Sequence, residues 1–357
     1  MRATRGLILS TDGDGVGLWS LRPLRRELAP VANTPLITLE LQALHAAGIR
    51  EIGMVSDAGL ATAARDAVGE AGLDVDLVQI DPPAETGLAG RLIAAEPFIG
   101  NGPFVVNMAG SLTQHDLGRS VERLVRKGLG ALVILGKSRR RTPQAILLQG
   151  GDAQVEAGEQ GLGEEAFAGA NAFVFGSEIF DAARAAIEAQ RNPQADVTEV
   201  LEVLAEKPGH VQAVLPTGWS LSVESMEDLL EINRLVLDAL SPAEVPGERS
   251  GNRIMGPVVV DETATIESSV LNGPLAIAAH AHITDSYVGP YTAIGARARI
   301  DGAEIERSVV SPAASISSVG FRIEGSVIGV NARITREFVP PRALQLWVGQ
   351  DAYVSLG

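Results

Sequence analysis

Apolar and polar positions follow two different periods along the chain. Between residues 6 and 240, short aliphatic runs alternate with stretches in which apolar residues recur at every third or fourth position. The aliphatic runs predict β-strands at residues 7–9, 51–55, 74–80, 104–107, 131–135, 172–175 and 211–215. Strands alternating with helices form a mostly parallel sheet that is covered on both faces, and its ligands bind beyond the carboxyl ends of the strands.

The helical patterns lie between these strands, at residues 35–47, 115–128, 177–190 and 225–240. The first begins with Pro35 and stops at Gly48, and the last is opened by a capping box of Ser225 and Asp228. A stretch rich in proline, glycine and charge follows at 241–252. We therefore predict an α/β domain over 1–240, a linker over 241–252 and a second domain over 253–357.

In the second domain, aliphatic residues recur six positions apart, with small residues between them. The pairs and triplets are Val260 and Ile266; Ile277 and Ile283; Val288, Ile294 and Ile300; Val310 and Ile316; and Ile328 and Ile334. A hexapeptide repeat is typical of a left-handed parallel β-helix, in which each sixth side chain stacks inside a triangular prism. We expect about four coils over residues 256–336, and a homo-oligomer formed through the flat sides of the prism.

The composition narrows the classes of function. The chain of 357 residues has 44 acidic and 29 basic residues, a net charge of -15 and no cysteine. An acidic surface argues against nucleic acid and anionic membranes as partners, and the absence of cysteine excludes disulfides and thiolate chemistry. Without a signal-like or membrane-spanning apolar run, we expect a cytoplasmic protein.

Several segments of the chain resemble the bacterial sugar-1-phosphate nucleotidyltransferases, in particular the long glucose-1-phosphate thymidylyltransferase type with a β-helix tail. The segments in the family's order and spacing include PVANTP (30–35), GLAG (87–90), PFVVN (103–107), EDLLEINRLVLD (227–238), GPYTAIG (289–295) and PRALQLWVGQDAYVSL (341–356). The resemblance implies a Rossmann-like, GT-A-like mixed-sheet domain followed by a left-handed β-helix. It also implies transfer of a nucleotidyl group to a sugar-1-phosphate, with release of pyrophosphate.

The stretch LILSTDGDGVG (7–17) stands where the resemblance places a glycine-rich triphosphate loop. In that register two glycines become Thr11 and Asp12, a third becomes Asp14, the loop arginine becomes Val16, and a later lysine becomes Arg26. Two carboxylates in place of an arginine would repel a triphosphate. The D-x-D-G pattern is also part of a calcium loop, but the later acidic ligands are missing, so an acidic turn or a remodelled loop is the better interpretation.

The positions that the resemblance assigns to magnesium ligands have lost their carboxylates. The first falls on Gly110, after Ala109, and the second falls on Ser222, with Glu224 two residues later. A sugar-contacting glutamate of the family falls on Gln194. The remaining candidates for ligand binding in the cleft are Thr11, Asp12, Gly13, Asp14, Gly87 and Asn107.

Three functions remain open at this point. The first is a pseudoenzyme with a structural or regulatory role, for example as the partner of an active paralogue. The second is a cleft adapted to bind or transform another small molecule in a specialised biosynthetic pathway. The third is a divergent nucleotidyltransferase that is still active, with Arg26 and Glu224 as the catalytic candidates. We expect no cofactor, and Mg²⁺ only if the third hypothesis holds.

Overall fold

The chain divides into two compact units, Met1–Leu240 and Ser241–Gly357. The computed structural model describes residues 4–10, 25–84, 86–136, 144–149, 152–157, 170–190, 194–240 and 251–336. Most of the predicted linker and residues 337–357 lie outside these ranges. Of the helices that are described, none combines the length and the apolar character that a membrane span requires.

The first unit is an α/β fold. Its described strands are β1 (Arg5–Leu9), β2 (Pro30–Val31), β3 (Thr34–Pro35), β4 (Glu51–Val55), β5 (Asp76–Ile80), β6 (Phe104–Met108), β7 (Ser111–Thr113), β8 (Ala131–Leu135), β9 (Gln144–Gln149), β10 (Asp152–Ala157), β11 (Ala170–Phe175), β12 (Val211–Val214) and β13 (Ser220–Ser222). Its described helices are α1 (Leu36–Ala46), α2 (Ala58–Glu70), α3 (Leu88–Ile99), α4 (Leu117–Lys127), α5 (Glu178–Gln190), α6 (Val197–Ala205) and α7 (Met226–Asp238), with a 3-10 turn at Arg26–Leu28.

The central sheet contains all the strands that the aliphatic runs predict. Within the described ranges it has seven strands in the order β12-β8-β11-β6-β1-β4-β5. Only β11 runs antiparallel to its described neighbours, β6 and β8, so the sheet is mixed, as predicted.

Helices cover both faces of this sheet. Leu7 and Leu9 pack into one apolar cluster with residues of α3, α5 and α6, whereas Ile8 packs into a second cluster with residues of α1, α2 and α4. Because successive strand residues point to opposite faces, three consecutive apolar residues serve two cores.

Gly48 and Ser225 mark helix ends as predicted, whereas the predicted position of Pro35 inside α1 is wrong. Pro35 precedes α1 instead of opening it, because its ψ of 138° is extended. Gly48 follows α1 with a φ of +83°, a conformation that glycine adopts without strain. Ser225 caps α7 by accepting a hydrogen bond from the backbone N–H of Asp228 at 3.2 Å.

The second unit is a parallel β-helix. Its described strands are β14 (Arg253–Met255), β15 (Val258–Val260), β16 (Thr265–Glu267), β17 (Val270–Asn272), β18 (Leu275–Ile277), β19 (His282–Thr284), β20 (Tyr287–Val288), β21 (Thr292–Ile294), β22 (Arg299–Asp301), β23 (Glu304–Glu306), β24 (Val309–Val310), β25 (Ser315–Ser317), β26 (Ile323–Glu324), β27 (Val327–Ile328) and β28 (Arg333–Thr335). Over residues 251–336 these strands form three sheets, each with five parallel strands.

The expected count of about four coils is too low, since each of the three sheets takes one strand from each of five coils. The hydrophobic ladders explain the difference. Ile266 pairs with Ile283, and Ile283 pairs with Ile300, so the first full coils contain 17 residues and not 18. Each of these two coils therefore consists of two six-residue steps and one five-residue step, whereas the next two intervals of the ladder, Ile300 to Ile316 and Ile316 to Ile334, are 16 and 18 residues. The β-helix starts at Arg253, before the expected residue 256.

Candidate functional site

The candidate site lies at the carboxyl ends of the parallel strands in the first unit. There the strand ends are joined by backbone hydrogen bonds from Ser10 N to Val55 O at 3.1 Å and from Ala109 N to Leu9 O at 2.9 Å. The predicted phosphate-loop residues Thr11, Asp12, Gly13 and Asp14 lie outside the described residues. The described part of the site is therefore built from the segments that follow β1, β4 and β6.

Arg26 lies directly against Gly110. A Cβ atom added to Gly110 would stand 2.8 Å from Arg26 Nε and 2.9 Å from Arg26 Cδ, and Gly110 has a φ of +84°. An aspartate at this position would therefore need both a strained backbone and a displaced arginine. The structure thus places two predicted site residues together, with a guanidinium side chain where the resemblance puts a metal carboxylate.

Ser222 lies beside the same turn. In the antiparallel pair of β13 and β7, Ser222 stands opposite Ser111, and Val223 N donates to Gly110 O at 2.9 Å. Glu224 is exposed, and its backbone N–H donates to Asp228 at 3.2 Å. The two positions assigned to metal ligands are therefore neighbours, as a shared metal would require, but one has no side chain and the other has a hydroxyl.

A buried carboxyl group is hydrogen-bonded to this turn. Glu40 is 1% exposed and accepts hydrogen bonds from Gly110 N at 2.8 Å and Asn107 Nδ2 at 3.2 Å. Burial raises the pKa of Glu40 well above its usual range, and the nearby charge of Glu27 adds to this effect. The hydrogen bonds and the positive charge of Arg26 act in the opposite direction. Asn107, a predicted site residue, is thus buried and hydrogen-bonded to Glu40, which is itself bonded to the turn.

Glu40 is not among the site residues predicted from the sequence. The signal was present, because an acidic residue stands on the apolar face of α1, next to Leu41 and three residues after Ile37. A charged residue is almost never fully buried unless it has partners, so its position on this face indicated a buried polar site.

Gly87 has a structural explanation. A Cβ atom at this position would lie 2.4 Å from Gln194 O and 2.5 Å from Ala195 O. Ala89 N donates to Ala195 O at 3.0 Å, so the start of α3 is bound closely to this backbone segment. Gln194, where the resemblance places a sugar-contacting glutamate, is therefore brought beside Gly87, and only a glycine allows that approach.

The arginines at this edge are all bound to acceptors of the chain. Arg26 Nε donates to Glu27 at 3.3 Å, and Arg25 donates to Asp57, the N-cap of α2. Arg25 lowers the pKa of Asp57 through this hydrogen bond. Arg91, which is also absent from the predicted site residues, is 4% exposed and donates to Ser10 O at 2.5 Å.

The described residues do not fit Mg²⁺. This ion prefers one or two carboxylates in an octahedral arrangement. Gly110 supplies no ligand, Ser222 supplies a neutral oxygen, and the neighbouring Arg26 is a cation. In the part of the chain that is described, no group of three or more histidine, aspartate or glutamate residues could hold a metal ion.

Comparison with known proteins identifies the relatives of this chain. A family model of nucleotidyl transferases matches residues 5–239. The chain is 29% identical to a glucose-1-phosphate thymidylyltransferase of Streptomyces antibioticus, over 94% of this chain and 96% of the relative. It is 30% identical to a glucose-1-phosphate thymidylyltransferase of Streptomyces griseus, over 93% of this chain and 95% of the relative. The low-salt glycan biosynthesis nucleotidyltransferase of Haloferax volcanii is 28% identical over 99% of this chain and all of the relative.

A solved structure agrees with the fold. A Bacillus anthracis protein with the provisional name glucose-1-phosphate thymidylyltransferase, crystallised with sucrose, superimposes with a TM-score of 0.57 at 18% identity. The match covers 68% of this chain and 98% of that protein. Together with the family model, which spans the whole central sheet, these relatives show that the chain belongs to the sugar-1-phosphate nucleotidyltransferase family.

Proposed function

We propose that this protein is a non-catalytic member of its family, a pseudoenzyme with a structural or regulatory role. The observation that carries the proposal is the contact of Arg26 with Gly110, where the side chain of a metal-binding aspartate would have to stand. Family catalysis needs a metal and free cations, because it depends on positioning phosphates and neutralising their charge.

Among the residues that the structure describes, the charge of Arg26 disfavours Mg²⁺ at the turn of Gly110. Two unit charges 4 Å apart interact by about 4 kcal/mol at an effective dielectric constant of 20. A divalent ion at that distance from the Arg26 guanidinium would meet roughly twice this repulsion, about 8 kcal/mol, before Glu27 offsets part of it. Arg26 also forms an ion pair with Glu27. A phosphate that bound to Arg26 would have to compete with this carboxylate.

The contacts among Arg26, Glu40, Asn107 and Gly110 explain how the turn keeps its conformation in a protein that does not catalyse the reaction. Glu40 accepts hydrogen bonds from Gly110 N and Asn107 Nδ2, and the side chain of Arg26 packs directly against Gly110. A buried polar network that is fully bonded is stable without a ligand. The turn therefore does not depend on a metal for its conformation.

Two assays test the proposal directly. Calorimetric titration with dTTP or UTP in the presence of Mg²⁺ should show no binding. Incubation with glucose-1-phosphate together with dTTP or UTP and Mg²⁺ should release no pyrophosphate above background. The thymidylyltransferase of Streptomyces antibioticus serves as the positive control. Pyrophosphate release that disappears in Arg26→Ala and Glu224→Gln would overturn the proposal and establish a divergent enzyme.

A gain-of-function series tests the observation at Arg26 itself. The double variant Gly110→Asp/Ser222→Asp restores both carboxylates, and the triple variant also carries Arg26→Ala. We expect Mn²⁺ binding, followed by electron paramagnetic resonance, in the triple variant and not in the double variant. Equal binding by both variants would show that Arg26 does not control the metal position.

A further inference from the structure

The regular repeat of the β-helix is interrupted at one corner, between β25 and β26. In the three preceding coils two residues occupy this corner; they are Ser268 and Ser269, Asp285 and Ser286, and Gly302 and Ala303. In the next coil Ile323 pairs with Ile305, so Arg322 stands beside Glu304 and the four residues 318–321 occupy the corner. The longer corner exposes Phe321, whose side chain is 79% accessible to solvent.

A groove of about 800 Å³ lies beside this longer corner. It is lined by residues 319–322 and by the equivalent corners of the three preceding coils, at Ser268 and Val270, at 285–287 and at 302–304. Gly302 has a φ of +57° and no side chain, so the coil next to the longer corner leaves space that another residue would fill. Every one of these lining residues belongs to the second unit.

The groove holds one cationic group that the chain itself supplies. The guanidinium carbon of Arg322 lies 5.1 Å from the centroid of the Tyr287 ring. Arg322 Nε donates to Glu304 at 3.1 Å, and its Nη1 donates to Glu306 at 3.5 Å. An aromatic face beside carboxylates is a combination that attracts cations, and here it binds a guanidinium group of the same chain.

A second aromatic ring and a second carboxylate in the lining have no such partner. Within residues 251–336, Phe321 makes no contact with another ring or with a cation, and the exposed carboxylate of Asp285 takes part in no ion pair. Coils are about 4.8 Å apart, so the corners of Asp285 and Phe321, two coils from each other, are separated by roughly 10 Å. Gly302 lies between them and leaves this interval open.

The charge of the lining decides which class of ligand fits. The ionised groups in the lining are the carboxylates of Asp285 and Glu304 and the guanidinium of Arg322, while Arg336 contacts Gly320 without lining the groove. Because Arg322 is bound by glutamates, the charge that remains for a ligand is negative. Phosphate-bearing ligands are therefore disfavoured, and the net charge of -15 acts in the same direction.

We propose that this groove binds an organic cation, an ammonium or guanidinium group attached to an apolar body. The cation would lie between the Asp285 carboxylate and the face of the Phe321 ring. Exposed ion pairs and exposed cation–π contacts are individually weak, so we expect a dissociation constant on the order of 1 mM. No residue of the first unit takes part, so the inference is independent of the proposed function.

Probes of similar shape and different charge test the class of ligand. Phenylethylammonium, phenylethanol and phenylpropionate carry the same ring on a short chain with a positive, neutral or negative end. In saturation-transfer-difference NMR titrations of the full-length protein at low salt, the ammonium probe should bind about tenfold more tightly than the other two. Equal affinity for the three probes, or no binding of the ammonium probe, would overturn the proposal. A methyl glucoside that binds more tightly than the ammonium probe would also overturn it, in favour of a neutral saccharide.

Substitutions in the groove test where the ammonium probe binds. Asp285→Asn keeps the shape of the side chain and suits its φ of +47°, and it should weaken binding about threefold. Phe321→Leu keeps an apolar side chain without a ring face and should also weaken binding about threefold. Arg322→Gln removes the competing guanidinium from Tyr287 and should strengthen binding about threefold.

The matched control is Glu262→Gln, which removes an exposed carboxylate of the β-helix outside the groove and should leave the affinity unchanged. An affinity that neither Asp285→Asn nor Phe321→Leu alters would show that the probe binds elsewhere and would refute the site. Weaker binding by Arg322→Gln would contradict the competition between Arg322 and the ligand.

Discussion

Replacing Glu40 by glutamine should remove a loss of stability that the wild-type protein undergoes as the pH rises. Burial raises the pKa of the Glu40 carboxyl well above its usual range. The unfolded chain has a glutamate pKa of about 4.3, so the folded state holds the proton more tightly than the unfolded state does. The resulting stabilisation is complete below about pH 4.3 and is lost as the pH rises through the folded-state pKa.

The expected change in the free energy of unfolding follows from one titrating proton and two hydrogen bonds of Glu40. A single linked proton changes the free energy of unfolding by at most about 1.4 kcal/mol for each pH unit inside this window. Glu40→Ala would leave the buried donors Gly110 N and Asn107 Nδ2 without their acceptor, at about 1–3 kcal/mol each. Glutamine keeps the acceptor for Gly110 N, loses the acceptor for Asn107 Nδ2 and cannot ionise. The lost hydrogen bond shifts the unfolding free energy by a constant amount, so the charge effect is identified by the pH dependence of the difference between variant and wild type.

The assay is urea unfolding of the intact chain at half-unit steps from pH 5 to pH 8.5, for wild type, Glu40→Gln and Glu70→Gln. Glu70 is an exposed glutamate of α2 and controls for the chemical change. The difference in unfolding free energy between Glu40→Gln and wild type should move in favour of the variant as the pH rises, while the control stays parallel to wild type. Parallel curves for Glu40→Gln and wild type would refute the raised pKa of the buried Glu40 carboxyl.

Two packing predictions accompany it. Gly87→Ala places a Cβ atom 2.4 Å from Gln194 O and should destabilise the fold by at least about 2 kcal/mol in urea unfolding, whereas Gly69→Ala, with no atom within 4 Å, should stabilise α2 by up to about 1 kcal/mol. Ile300→Ala truncates a buried isoleucine of the β-helix core and should lower the free energy of unfolding by about 2–5 kcal/mol in the same assay. Thr265→Ala, at an exposed outward position, should change it by about 0.5 kcal/mol or less. Equal effects of the two variants in either pair would contradict the assigned packing.

Much of the fold could be predicted from local patterns, because burial imposes a period on each element. Every predicted strand of the first unit is a strand of the central sheet, and the six-residue spacing correctly indicated a β-helix. The direction of β11 and the number of coils could not be obtained in this way. A strand's apolar run is the same in either direction, and the five-residue step of the first full coils appears only when the strands are aligned in register.

The candidate site was also predicted only in part from the sequence. Sequence register alone identified Arg26, Gly110 and Ser222 as changed positions, because the surrounding segments match the family in order and spacing. Only the tertiary structure brought Arg26 onto Gly110, 84 residues further along the chain, and placed Glu40 within hydrogen-bonding distance of the same turn. Close packing brings together residues that are far apart in sequence, and the raised pKa of Glu40 results from its burial in that packing. Residue types and their spacing along the chain therefore predict neither the contact of Arg26 with Gly110 nor the raised pKa of Glu40.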